Sequence, residues 1–176
     1  METLAGVLKV RAGYDAEGDF SATIDMGVPV YDAPAIPADG SGEFAEMIDG
    51  MMVYAVNTGV PHAVVFVEDV DAVDIDAVAP AIHHHVLFPK GINVNFVQVT
   101  GPSSITIRTF ERGVEGETLS CGTGSTASAL IAARVGKVSG DVVHVETVGG
   151  PLDIGVGASA TMTGPAETVF VGEIPF

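Results

Sequence analysis

Cys121 is the only cysteine of the chain, and it stands directly before a glycine-rich run, Gly122-Thr123-Gly124-Ser125, that opens an alanine-rich stretch. If that stretch is helical, the thiol sits where unpaired N–H groups and the helix dipole favour the thiolate. Its pKa is then expected below the ordinary value of about 8.5. The N–H groups from Gly122 through Ser125 can also hold a carboxylate, because helix starts bind anions and glycine lets a ligand approach closely. A base and a carboxylate clamp on one loop is what proton abstraction alpha to a carboxylate requires, since the clamp stabilises charge as a carbanion forms. A buried thiol beside a tight turn accounts for the same spacing, because glycine-rich loops before helices are common. One cysteine excludes an intrachain disulfide.

The elements that must position this loop are legible from periodicity. A helix is predicted over Gly122 to Val135, ended by Gly136. A second is predicted from Asp74, a capping residue, to Val86, with Ile75, Val78, Ile82 and Val86 on one face and Pro89 closing the region. Alternating Val and Ile predict strands in SATIDMG, MMVYAVN, HAVVFVED, INVNFVQVT, SSITIRTFE and VVHVETV, and in TVFVGEI at 168–174. The last is terminal and apolar, so it needs a neighbour or becomes an exposed edge. Gly-Pro punctuation marks turns at 27–29, 59–61, 101–102, 149–151 and 164–165, and PAIPADGSGEF at 34–44 reads as a solvated excursion. The whole describes one sheet-rich α+β domain over residues 1–176.

Charge excludes several function classes. Seven Lys and Arg against 23 Asp and Glu give a formal charge of −16, which repels phosphate backbones and anionic lipid headgroups, so neither nucleic acid nor membrane is an expected partner. Lysine occurs only at Lys9, Lys90 and Lys137, a pattern shared by salt-adapted cytoplasmic proteins and by ordinary acidic enzymes. No leader-like N-terminal stretch and no apolar run near about eighteen residues is present, so a soluble cytoplasmic protein is expected. The triplet His83-His84-His85 suggests a metal, but successive helical residues point about 100° apart and cannot converge on one ion, so no metal site is expected. Ser125, Ser128 and His144 lack the G-x-S-x-G turn that would expose a nucleophilic serine.

The segment ERG-VEGETLSCGTGSTASA resembles the signature of diaminopimelate epimerases around their second catalytic cysteine, and IDMGVP at 24–29, NTGVPHAVVFV at 57–67 and FPKGINVNFV at 88–97 follow in that family's order. The likeness covers nearly the whole chain. It implies an α+β half-enzyme, a mostly antiparallel or mixed sheet curled around a central helix, that interconverts LL- and meso-diaminopimelate, a lysine and peptidoglycan precursor. It implies two cysteines on opposite faces and no cofactor. By position, Cys121 would be the base and Gly122 and Thr123 would bind substrate carboxylate. Glu111 and Arg112 would contact a substrate with an amino-acid group at each end, and Asn93 would bind substrate, with Asn95 a nearby alternative. His62 and Glu111 would tune the thiol. Val60 stands where the family commonly has Asn, which leaves Asn57 as the nearest replacement.

The resemblance also implies that this chain is the carboxy-terminal half. The amino-terminal half, with its own C-G-N-G cysteine motif, would be supplied in cis or in trans, and the chain alone would be inactive. Self-association through the surface that half would cover is expected. Two other readings stay open: a related racemase or isomerase of the same fold, and a non-catalytic remnant that binds an amino acid without turning it over.

Overall fold

The computed structural model describes residues 2–3, 6–14 and 18–173. Strands β1 (Glu2–Thr3) and β2 (Gly6–Val7) form a small antiparallel ribbon. The remaining described strands are β3 (Val10–Tyr14), β4 (Phe20–Gly27), β5 (Ala45–Ile48), β6 (Met51–Asn57), β7 (Pro61–Phe66), β8 (Asn93–Gly101), β9 (Ser104–Glu111), β10 (Gly116–Thr118), β11 (Val142–Thr147), β12 (Gly150–Val156) and β13 (Ala160–Pro165). They join one sheet in the order β3-β4-β13-β12-β11-β9-β8-β7-β6-β5, with β10 returning along β9. Only the β7–β8 and β9–β11 pairings are parallel. The expected mixed sheet of an α+β domain is what the chain forms.

Helix α2 (Gly122–Arg134) runs through the curl of this sheet, with every residue from Gly124 to Ala132 buried. Its Gly, Ala and Ser side chains let strands approach it closely on several sides. It ends in a Schellman motif: Lys137 N–H reaches the Ala132 carbonyl at 2.9 Å and Gly136, at φ 71°, reaches Ala133 at 3.1 Å. Helix α1 (Ile75–His83) lies on the other face of the sheet and is capped by Asp74, which accepts from Ala77 N at 3.2 Å. It ends at His83 rather than Val86, which is exposed.

Period two on the central strands divides their residues between two cores. Ala63, Val65, Val94, Phe96 and Phe110 pack on the α1 side, whereas Val64, Val97, Ile105 and Ile107 pack with Ala127, Ile131, Val143 and Ile154 on the α2 side. The same parity puts His62, Asn95 and Thr109 on the α2 side. Register then sets them beside one another, with His62 opposite Asn93 and Asn95 opposite Thr109.

Three expectations are corrected. The 34–44 segment is solvated only in part: Pro34, Ala35 and residues 39–43 are exposed, but Ile36, Ala38 and Phe44 are buried and Phe44 packs on Phe88 with ring centroids 4.9 Å apart. Residues 168–173 form no strand, because among the described residues no strand lies alongside to accept their hydrogen bonds, and Val169, Phe170 and Val171 are exposed; Ile174 lies outside the described residues. The 164–165 turn is also displaced, since Gly164 and Pro165 pair with Ala22 and Ser21 as the end of β13. Among the described residues no helix is long and apolar enough to cross a membrane.

Candidate active site

Cys121 is the N-cap residue of α2, with φ −130° and ψ 105°, and its carbonyl accepts the first bond of the helix from Ser125 N at 2.8 Å. The short β10 return delivers it there. Arg108 grips Glu117 through two 2.7 Å bonds across β9 and β10, and Thr118 donates to Glu111 Oε1, which holds the carboxylate at the end of β9.

From Cys121 a chain of hydrogen bonds runs into the sheet. Its Sγ lies 3.5 Å from Thr123 Oγ1, which lies 2.9 Å from His62 Nε2, and His62 Nδ1 lies 3.2 Å from Asn95 Nδ2. The proton positions follow from the far end. Asn95 Oδ1 accepts from Thr109 Oγ1 at 3.0 Å and its Nδ2 donates to the Ala63 carbonyl at 2.8 Å, so the amide nitrogen faces His62. His62 Nδ1 must then accept, which places the imidazole proton on Nε2 as a donor to Thr123. The Thr123 hydroxyl proton is left free to donate to sulfur. Thr58 donates to the Thr123 carbonyl at 2.9 Å and steadies the same loop.

The electrostatics correct one expectation. Cys121 has its pKa raised, not lowered: burial of the half-enclosed thiol is the largest cause, and the Glu111 carboxylate adds to it. The hydroxyl of Thr123 and the N–H of Gly124 pull the other way without prevailing. The helix start therefore offsets only part of the desolvation. His62 is buried, and burial together with the Arg112 charge depresses its pKa to about 3, so it is neutral at physiological pH. Replacing Glu111 with Gln should shift the pH midpoint of Cys121 alkylation downward, and Thr123→Val should shift it upward. Iodoacetamide rates against pH read both directly, because the chain has a single cysteine.

Gly124 makes room for this arrangement. A Cβ there would stand 2.4 Å from Asn95 Oδ1 and 3.3 Å from both Cys121 Cβ and His62 Cε1. Asn95 is held by three partners and cannot yield, so Gly124→Ala should cost about 1–3 kcal/mol in urea unfolding. A variant of wild-type stability would show that the network is looser than described.

The other expected residues are placed as follows. Asn93 is buried, and its amide joins two backbone points, donating to Pro61 O at 2.8 Å and accepting from Arg112 N at 2.9 Å. It thus holds the turn that carries Glu111 and Arg112, and the asparagine reaching His62 is Asn95. Arg112 is exposed, with Nη1 at 3.3 Å from both the Lys90 and Gly91 carbonyls. Asn57 is already occupied, accepting from Gly59 N within its own turn and donating to Ala35 O of the distant 33–35 turn. Gly122 packs against Met162, whose Sδ would lie 2.8 Å from an added Cβ. Asn95 stood in the sequence only as the alternative to Asn93, and Thr58, Thr109 and Thr118 were not singled out there. Their signal is cross-strand register, which a single sequence does not display.

The fold defines the class first. The chain is similar to the crystal structure of a probable proline racemase from Agrobacterium radiobacter K84 with bound carbonate, at 19% identity and a TM-score of 0.58, covering 99% of this chain and 59% of that one. At that identity the likeness establishes a shared α+β architecture. The sequence is more specific: a family model for diaminopimelate epimerase matches residues 54–169, and the chain belongs to the diaminopimelate epimerase family. It is 51% identical to a diaminopimelate epimerase of Methanothrix thermoacetophila, over 99% of this chain and 61% of that protein. It is 52% identical to one of Methanocella arvoryzae, over 99% and 62% respectively. The chain thus spans about three fifths of the length of these curated relatives.

Proposed function

We propose that this chain carries one of the two proton-transfer groups of a cofactor-independent epimerase that interconverts LL- and meso-diaminopimelate in the cytoplasm. The observation that carries this reading is the Asn95–His62–Thr123–Cys121 hydrogen-bond chain ending at the start of α2. A half-buried thiol wired to a fixed hydroxyl at a helix start is equipped to pass a proton to and from one carbon. The substrate carboxylate would sit on the Gly122 and Thr123 N–H groups, with the alpha carbon against sulfur.

The raised pKa gives the resting residue a role. Cys121 rests as a thiol and delivers a proton in one direction; in the other it works as a thiolate. Glu111 opposes thiolate formation while it is unpaired. A substrate ammonium beside Glu111 would cancel that charge and release the thiol to ionise, which links activation of the base to occupancy by an amino acid. Arg112, exposed at the end of the same turn, would take a second carboxylate through its remaining donors.

One cysteine serves one face, so the second face needs another group and the chain by itself converts nothing at a useful rate. Combined with the portion of the relatives that it does not span, it should bind LL-diaminopimelate over Cys121. Millimolar substrate should then slow iodoacetamide labelling of the Cys121 peptide, followed by mass spectrometry, while succinate should not. Equal rates with and without substrate would overturn the assignment.

A further inference from the structure

Among the described residues, one set of three potential metal ligands has its donor atoms within 4.8 Å of one another: His83, His84 and Glu115. On an uninterrupted helix the two imidazoles would diverge. Here α1 ends at His83, and His84, at φ −97° and ψ 11°, turns its ring to the same side, with centroids 4.3 Å apart. The helix expected through His85 stops at His83, so the divergence expected of the imidazoles does not hold for His83 and His84.

His83 is buried, and its Nδ1 lies 2.7 Å from the Ile92 carbonyl, so that nitrogen carries a proton and donates it. In a neutral ring the Nε2 lone pair is then fixed, and it faces Glu115 Oε2 at 3.3 Å, while His84 Nε2 lies 3.8 Å from the same oxygen. Two acceptors aimed at each other require a cation between them, either a proton on the imidazole or a metal ion. The carboxylate is held in place, because its other oxygen accepts the Gly113 N–H at 2.9 Å and Glu115 adopts the left-handed φ of 58°. Gly91 closes the back of the site: at φ 68°, a Cβ there would press His83 Cε1 and Nε2 at 3.1 Å.

An imidazole whose far nitrogen is pinned to a backbone carbonyl is the usual form of a metal-ligating histidine. Donor separations of 3.3 and 3.8 Å approach the edges of a tetrahedron built on bonds of about 2.0–2.2 Å, and the exposed His84 ring is free to close the remainder. We propose that His83, His84 and Glu115 bind a borderline divalent cation of the Zn2+ class, with water in the fourth position. The ion ties the end of α1 to the turn that follows Glu111 and Arg112.

The test is calorimetric titration of the full chain with Zn2+ in excess Mg2+ and KCl, which occupy the scattered surface carboxylates, together with Co2+ absorption in the visible. One equivalent should bind, with a Co2+ spectrum of low-symmetry type and a rise in melting temperature. Glu115→Gln and His84→Ala, both at exposed positions, should each weaken binding by about tenfold or more, while His85→Ala and His144→Ala should leave it unchanged. Melting without metal verifies that each variant is folded. Absence of a one-equivalent phase, or wild-type affinity in Glu115→Gln and His84→Ala, would overturn the proposal and leave His83 and Glu115 as an ion pair without metal.

Discussion

Replacing Cys121 with Ser should lower LL-to-meso conversion by the reconstituted enzyme by about two to four orders of magnitude, the range that a positioned acid or base contributes. Serine keeps the N-cap geometry and the neighbours at Thr123 and Gly124, so the fold should persist. What it lacks is a proton that leaves near neutral pH. Cys121 already has its pKa raised by burial and by Glu111, and a hydroxyl in the same place would hold its proton far more tightly. The loss should appear in kcat with little change in KM, because the carboxylate contacts proposed at Gly122 and Thr123 would come from backbone N–H groups that the substitution leaves in place. A variant with unchanged turnover would remove Cys121 from the mechanism.

The second large effect concerns stability in acid. His62 has a folded pKa of about 3 against an ordinary value of 6.5. Its contribution is therefore fully present above about pH 6.5 and is lost as pH falls from there toward 3, because the unfolded chain takes up a proton that the folded one refuses. The slope for one proton is about 1.4 kcal/mol per pH unit. The cause is local as well as dielectric: protonated Nδ1 would face the Asn95 amide nitrogen, donor against donor. Unfolding of wild type and of His62→Gln in urea between pH 6.5 and 5, above the range where most carboxylates titrate, isolates the effect. The wild-type advantage should shrink by roughly two kcal/mol across that window. Parallel curves would mean that His62 is charged or exposed in the folded state.

Much of the frame could be read from the chain because its central strands are covered on both sides. Val and Ile in β7, β8 and β9 are required by two cores, and Gly136 marks the end of α2. Among the strands that escaped notice, β12 (GPLDIGV) and β13 (ATMTGP) are rich in Gly, Pro and Thr, and their neighbours make them strands: Ile154 pairs with both Val143 and Met162. Conversely, 168–173 alternates well and forms nothing, since pattern without a partner does not hold a strand. At the site, Cys121, His62 and Glu111 were visible by type and motif. The choice of Asn95 over Asn93 as the partner of His62 came only through register, and the direction of the thiol shift depended on burial, which motif spacing does not carry. The His83–His84 convergence depended on where α1 stops.

The most direct test of the central claim is proton NMR of LL-diaminopimelate in deuterated water with this chain, first alone and then together with the portion of the relatives that it does not span. No conversion is expected with the chain alone. In the mixture, meso product should appear carrying solvent deuterium at the inverted alpha carbon, with that signal lost when Cys121 is Ser. Conversion by the chain alone, or conversion in the mixture that survives the loss of Cys121, would contradict it.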